Sequence, residues 1–95
     1  MQASEILSKA ADLIEPEGKW VQGAYSDGRG AYCMLGALDV ACNDSRLITP
    51  CMEAIRESIN FCNIAAWNDA HNRIQAEVVS ALRKAANLAK EQENR

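Results

Sequence analysis

The sequence predicts an all-α fold: a compact bundle of about four helices with one ordered loop rich in glycine and aromatic residues. Three observations carry that expectation. Apolar residues recur at helical spacing in four segments, near 4–15, 31–42, 50–60 and 72–90. Sixteen of the 95 residues are alanine and only five are aromatic, so the core has to be fine-grained, built by helices that approach closely. Pro16 with Gly18, Asn43-Asp44-Ser45 and Trp67-Asn68-Asp69 punctuate the pattern.

The first helix places Ile6, Leu7, Ala10, Leu13 and Ile14 on one stripe. Ser4 is expected to cap it, Glu5 suits its positive end, and Pro16 with Gly18 stops it. Over 19–30 no helical period survives. Gly23, Gly28 and Gly30 interrupt Trp20, Val21 and Tyr25, and Ser26-Asp27-Gly28 reads as a turn. An ordered loop is the preferred reading, with a short hairpin pairing 20–25 and 31–34 as its alternative. A second helix takes Met34, Leu35, Leu38, Ala41 and Cys42 inward, and Gly36 with Ala37 would let a neighbouring helix come close. Asp39 falls on the solvated side.

The third helix is expected to start at Thr49 as N-cap, with Pro50 where a missing N–H costs nothing. Met52, Ile55, Ile59 and Cys62 form its buried side; Glu53, Arg56 and Glu57 face water. Residues 64–69 read as a break or tight turn. The last helix buries Val78, Leu82, Ala85 and Ala89, and residues 91–95 are expected to fray.

With 95 residues, 48% apolar and 24% charged, the chain reads as one soluble globular domain with roughly two-thirds of its unfolded surface buried. A net charge of −3 argues against electrostatically driven nucleic-acid binding, which needs clustered Lys and Arg. Met1-Gln2-Ala3-Ser4-Glu5 lacks a basic n-region, and no apolar run approaches ~18 residues, so neither a signal peptide nor a membrane partner is expected. The location expected from this is cytoplasmic. There Cys33, Cys42, Cys51 and Cys62 stay reduced, and they are expected to be buried and to react only after denaturation. Their spacings match no zinc motif, and neither a metal site nor a cofactor is expected.

Two segments hold the polar candidates. Around Trp67-Asn68-Asp69-Ala70-His71-Asn72-Arg73 sit the sole histidine, an Asp two residues before it and an Arg two after it. One reading is an Asp–His pair or an anion pocket at a helix start; the plainer one is that Asn and Asp close a turn anchored by Trp67. No nucleophile is placed beside His71, so no catalytic residue is assigned. The second segment sets Gln22 between Trp20 and Tyr25. It is either a ligand or partner contact, or a plug closing the bundle end.

The string from Ile6-Leu7 through Glu15-Pro16-Glu17-Gly18-Lys19-Trp20-Val21-Gln22-Gly23-Ala24-Tyr25 resembles an uncharacterised bacterial and bacteriophage family, domain-of-unknown-function family 6197. So do Cys33 with Leu35-Gly36-Ala37-Leu38, and Trp67-Asn68-Asp69 followed by Arg73 and Val78-Val79. The resemblance spans about 4–89. Sequences of this type often carry a Thr where Ile74 stands here, and a longer segment before the Cys than 26–30. The resemblance brings no activity, but it implies that Trp20, Gln22, Gly23, Tyr25, Cys33, Trp67, Asn68, Asp69 and Arg73 belong together. The Trp20 loop would then pack on the Trp67 turn, with Asp69 bonded to Arg73 or to the loop backbone.

The leading expectation is a non-catalytic protein-binding or regulatory module, encoded by a phage or mobile element and acting on a host protein such as a defence complex. It rests on analogy, with Glu5, Asp12, Glu53 and Glu57 as an acidic contact face. Self-association through the alanine-rich last helix is compatible with it. The rival is a small-molecule or nucleotide binder, even a hydrolase, using Trp20, Trp67, Asn68, Asp69, His71 and Arg73. Burial separates the two: an open concavity lined by those residues favours the rival, and a packed cluster the first reading.

Overall fold

The computed structural model describes residues 2–95. Among them are five helices and no extended strand: α1 (Ala3–Ile14), α2 (Met34–Ala41), α3 (Ile48–Ile59), α4 (Ile64–Asn68) and α5 (Gln75–Glu93). The all-α class follows from the alanine-rich stripes. Ile6, Leu7, Ala10, Ala11 and Ile14 of α1 are fully buried against Val78, Leu82 and Ala85 of α5. Met34 and Leu38 of α2 and Cys51 and Ile55 of α3 close the core.

α1 and α5 run antiparallel, held by polar contacts at both ends and between them. At the C-terminus of α1, the Gln75 amide donates to the carbonyls of Ile14 at 2.6 Å and Pro16 at 2.8 Å, groups that lack helical partners. Arg83 donates to the Ser8 carbonyl and to the carboxylates of Asp12 (2.7 Å) and Glu15 (3.1 Å). At the N-terminus of α1, the Glu93 carboxylate accepts the Ser4 hydroxyl at 2.6 Å and the Ser4 N–H at 3.1 Å. Two expectations are corrected here. Ser4 lies inside the helix, buried, while Glu5 reaches back to the Gln2 N–H at 3.0 Å. The C-terminal end is also helical to Glu93 rather than frayed from 91, because Glu93 is tied to the Ser4 hydroxyl and N–H at the start of α1.

Residues 15–33 form the ordered loop, not the alternative hairpin. Tyr32 pairs with Trp20 in parallel and with Ser26 antiparallel as isolated bridges, so no ladder develops. The Ser26-Asp27-Gly28 turn closes on the Asp27 carboxylate, which accepts the N–H groups of Arg29 (2.7 Å) and Ala31 (3.1 Å); these hold it below the usual carboxylate range. This pairing delays α2, expected from 31, until Met34. Its N-cap is Cys33, whose sulfur accepts the Gly36 N–H at 3.3 Å. Gly36 makes room for the loop rather than for another helix. A β-carbon there would stand 2.0 Å from the Tyr25 carbonyl oxygen, which itself accepts the Cys33 N–H.

Three further boundaries differ from expectation. Asp44 caps a 3-10 turn (Ser45–Leu47) by accepting the Arg46 N–H at 3.0 Å, and α3 continues from Ile48, so Thr49 is not its cap. Pro50 still sits in the first turn, where its missing N–H has no helical partner to lose. The segment expected to be a break is the short helix α4, capped by Asn63 accepting the Ala66 N–H. α5 starts at Gln75 rather than 72 because Asn72 turns left-handed (φ 71°); Glu77 then reaches back to the Ile74 N–H at 3.0 Å. Asn60, also left-handed (φ 53°), ends α3 before Cys62. Cys62 is therefore exposed rather than buried, and Cys42 is half-buried; only Cys33 and Cys51 are buried as expected.

Two measurements follow from this packing. Gly36→Ala is expected to cost about 1–3 kcal/mol, because backbone rather than a flexible side chain blocks the added methyl. Thermal denaturation should show this as a lowered Tm. In native protein, a thiol reagent should label Cys62 first and Cys33 and Cys51 only on unfolding. Burial pushes the Cys51 thiol up to about 11. A raised folded value favours the protonated form, so this contribution to stability is intact below ordinary thiol pKa values and is lost as pH rises through about 11.

Candidate functional site

The two polar segments singled out in the sequence meet at one side chain. Asn68, the last residue of α4, is 1% exposed, and all four hydrogen-bonding positions of its amide are taken by this chain. Its Oδ1 accepts the Trp20 indole N–H at 2.8 Å and the Met34 N–H, at the first turn of α2, at 3.1 Å. Its Nδ2 donates to the Val21 carbonyl at 3.2 Å and to Asp69 Oδ1 at 2.9 Å. An amide removed from water without such partners would cost several kcal/mol, so the burial and the bonds require each other.

The neighbours extend the clamp. Gln22 Nε2 donates to the carbonyls of Asn68 (2.9 Å) and Ala70 (3.1 Å). Asp69 Oδ1 also accepts the Gly23 N–H at 3.0 Å, a loop position with φ 80° that suits glycine. Of the two partners expected for Asp69, the loop backbone is the one it takes. Arg73 instead lays its guanidinium over the Trp67 ring, 3.8 Å from the centroid, and donates through Nε to the Trp67 carbonyl at 2.9 Å. Its other end meets Glu77 at 3.5 Å.

Tyr25 and His71 stand apart from this network. The Tyr25 backbone supports α2, but the residue is 68% exposed and plugs nothing. His71 lies exposed on the turn after α4, and no hydrogen bond joins it to Asp69 among the described residues, so the Asp–His pair does not form. Sequence reasoning missed Met34 as a backbone partner and Gln75, Ser4 and Glu93 as the helix-end contacts. A glycine inside α2 was the one visible trace of the close loop approach.

The arrangement holds backbone in place and leaves little for chemistry. Trp20, Gln22, Trp67, His71 and Arg73 lie outside the lining of the depression next to Asn68. That open depression of about 250 Å³ is lined by Gly23, Ala24, Tyr25, Cys33, Ala65, Asn68 and Asp69. Among the described residues no three His, Cys, Asp or Glu side chains converge to hold a metal ion, and no helix is long and apolar enough to cross a membrane.

The chain belongs to DUF6197, a family of unknown function, whose model matches residues 1–88. The match includes the whole clamp and stops before Glu93. No curated protein and no solved structure matches the chain.

Asn68→Ala is expected to destabilise by about 2–4 kcal/mol, because it orphans the Trp20 indole and the Met34 N–H together. Asn68→Asp sets a carboxyl against the Val21 carbonyl and Asp69. Burial and like charge raise the folded pKa of the introduced group, so stability should be highest in acid and fall as pH rises through that value. Denaturation midpoints across pH would show it; a midpoint with the wild-type pH dependence would contradict the clamp.

Proposed function

We propose that this member of a family of unknown function is a non-catalytic protein-binding module, and that its Trp-Asn-Asp turn is structural. One observation carries the reading. The polar groups that a catalytic or nucleotide site would need are spent within the chain itself: Asn68 bonds the Trp20 indole, the Met34 N–H, the Val21 carbonyl and Asp69 Oδ1, which also accepts the Gly23 N–H. A site built for substrate keeps convergent polar groups turned towards a cavity. Here they turn inward and hold the loop 15–33 against α2 and α4. What the clamp presents to water is a rigid surface of loop and helix.

The second reading, a small-molecule binder, has one observation in its favour: the depression of about 250 Å³ touches Asn68 and Asp69. Its size falls just below the usual range for ligand pockets, roughly 300–1,000 Å³, and the Asn68 amide and Asp69 Oδ1 on its wall are already engaged.

Native mass spectrometry of protein purified from a lysate separates the readings. The expected spectrum carries no small-molecule adduct. A stoichiometric small molecule that disappears in Asp69→Ala, with that variant still folded, would overturn the binding-module reading.

A further inference from the structure

We propose that the groove between α2 and α3 is the docking face, and that it takes a protein segment presenting apolar anchors beside a lysine or arginine. This rests on the binding-module reading above and names its surface. The groove, of about 400 Å³, is open and mostly apolar, lined by Tyr25 of the loop, Leu35, Leu38 and Asp39 of α2, and Ile48 and Met52 of α3.

Tyr25 is the first reason. Its backbone is fixed, with the carbonyl accepting the Cys33 N–H and seated on Gly36, while the residue as a whole is 68% exposed. The fold therefore needs the position but not the phenol, and it holds a large amphipathic ring in water on a rigid support. Such a ring loses little freedom when it is covered, which is why tyrosine concentrates at interface centres. Half-buried Met52 and Leu35 beside it supply adaptable apolar contact.

Charge identifies the partner. Asp39 sits in the groove wall, exposed, and forms no ion pair among the described residues, whereas Asp12, Asp44 and Glu15 are paired to arginines. A second copy docked through a two-fold axis on this groove would bring Asp39 towards Asp39, and the two repel. A partner with a cation next to its apolar anchors complements Asp39.

The test uses the full chain and two labelled helical peptides with identical leucine anchors at i, i+3 and i+7, one flanked by lysines and one by glutamates. Fluorescence anisotropy should show saturable binding of the lysine peptide, about tenfold or more tighter than the glutamate peptide and weakened by added salt. Asp39→Lys should reverse the preference, and Tyr25→Ala should weaken both peptides about tenfold, with the Tm of each variant near wild type because both side chains are exposed. Equal affinity for both peptides, no saturable binding, or affinities indifferent to Asp39→Lys and Tyr25→Ala would overturn the groove assignment. Dimerisation abolished by Tyr25→Ala in sedimentation velocity would overturn it in favour of a second copy. A groove that fails in a chain free of small molecules leaves the broader reading standing; a retained small molecule removes both.

Discussion

A single buried amide makes the two halves of this chain interdependent. Asn68 is satisfied only when Trp20 and Val21 of the loop, Met34 of α2 and Asp69 of the α4 turn are all in place. Two of those segments have little regular pairing of their own. The loop carries isolated bridges rather than a ladder, and α4 has five residues. Because an unpaired buried amide is costly, the arrangement is close to all-or-none: loop, α2 start and α4 turn form together or not at all. That coupling explains how a glycine-rich stretch of nearly twenty residues is ordered in so small a domain.

The same logic governs the helices. Alanine-rich faces bury little area per residue, so α1 and α5 gain less from apolar burial than leucine-rich partners would, and their sliding register is weakly fixed by shape alone. Gln75, Arg83 and Glu93 fix it with directional contacts at the end, middle and start of α1. The end contacts also satisfy helical carbonyl and N–H groups that otherwise face water or nothing. Register in this pair is thus a polar property set on an apolar background.

This division explains what was legible in the sequence. The helical stripes of α1 and α5 are local, periodic and strong, and they appear where the spacing puts them. The grouping of Trp20, Gln22, Asn68, Asp69 and Arg73 was legible through the family motifs, and their meeting follows from the fold. The helix boundaries at 34 and 75 were not, because no periodic pattern marks what sets them: the loop pairing of Tyr32 in one case, the left-handed Asn72 and the reach of Gln75 to α1 in the other. Cys62 illustrates the same limit. Its spacing continues the buried face of α3, but one left-handed asparagine ends the helix two residues too soon. Contacts such as Ser4 with Glu93 leave no periodic trace at all.

Residues that look catalytic in a sequence and residues that hold a difficult backbone draw on the same chemistry. Asn, Asp, Gln, Trp and Arg each offer directed hydrogen bonds, and a loop with few regular pairs needs such bonds as much as a substrate does. What separates the two uses is where the spare donors and acceptors point. In the clamp they point at carbonyls and N–H groups of the same chain. Side chains without such a task lie elsewhere, on the wall shared by Tyr25 and Asp39, where an aromatic residue and a carboxylate stand against water. In a molecule this economical with large side chains, a tyrosine whose ring the fold does not use is the feature most in need of a partner, and it is on that ring that the proposed interface is centred.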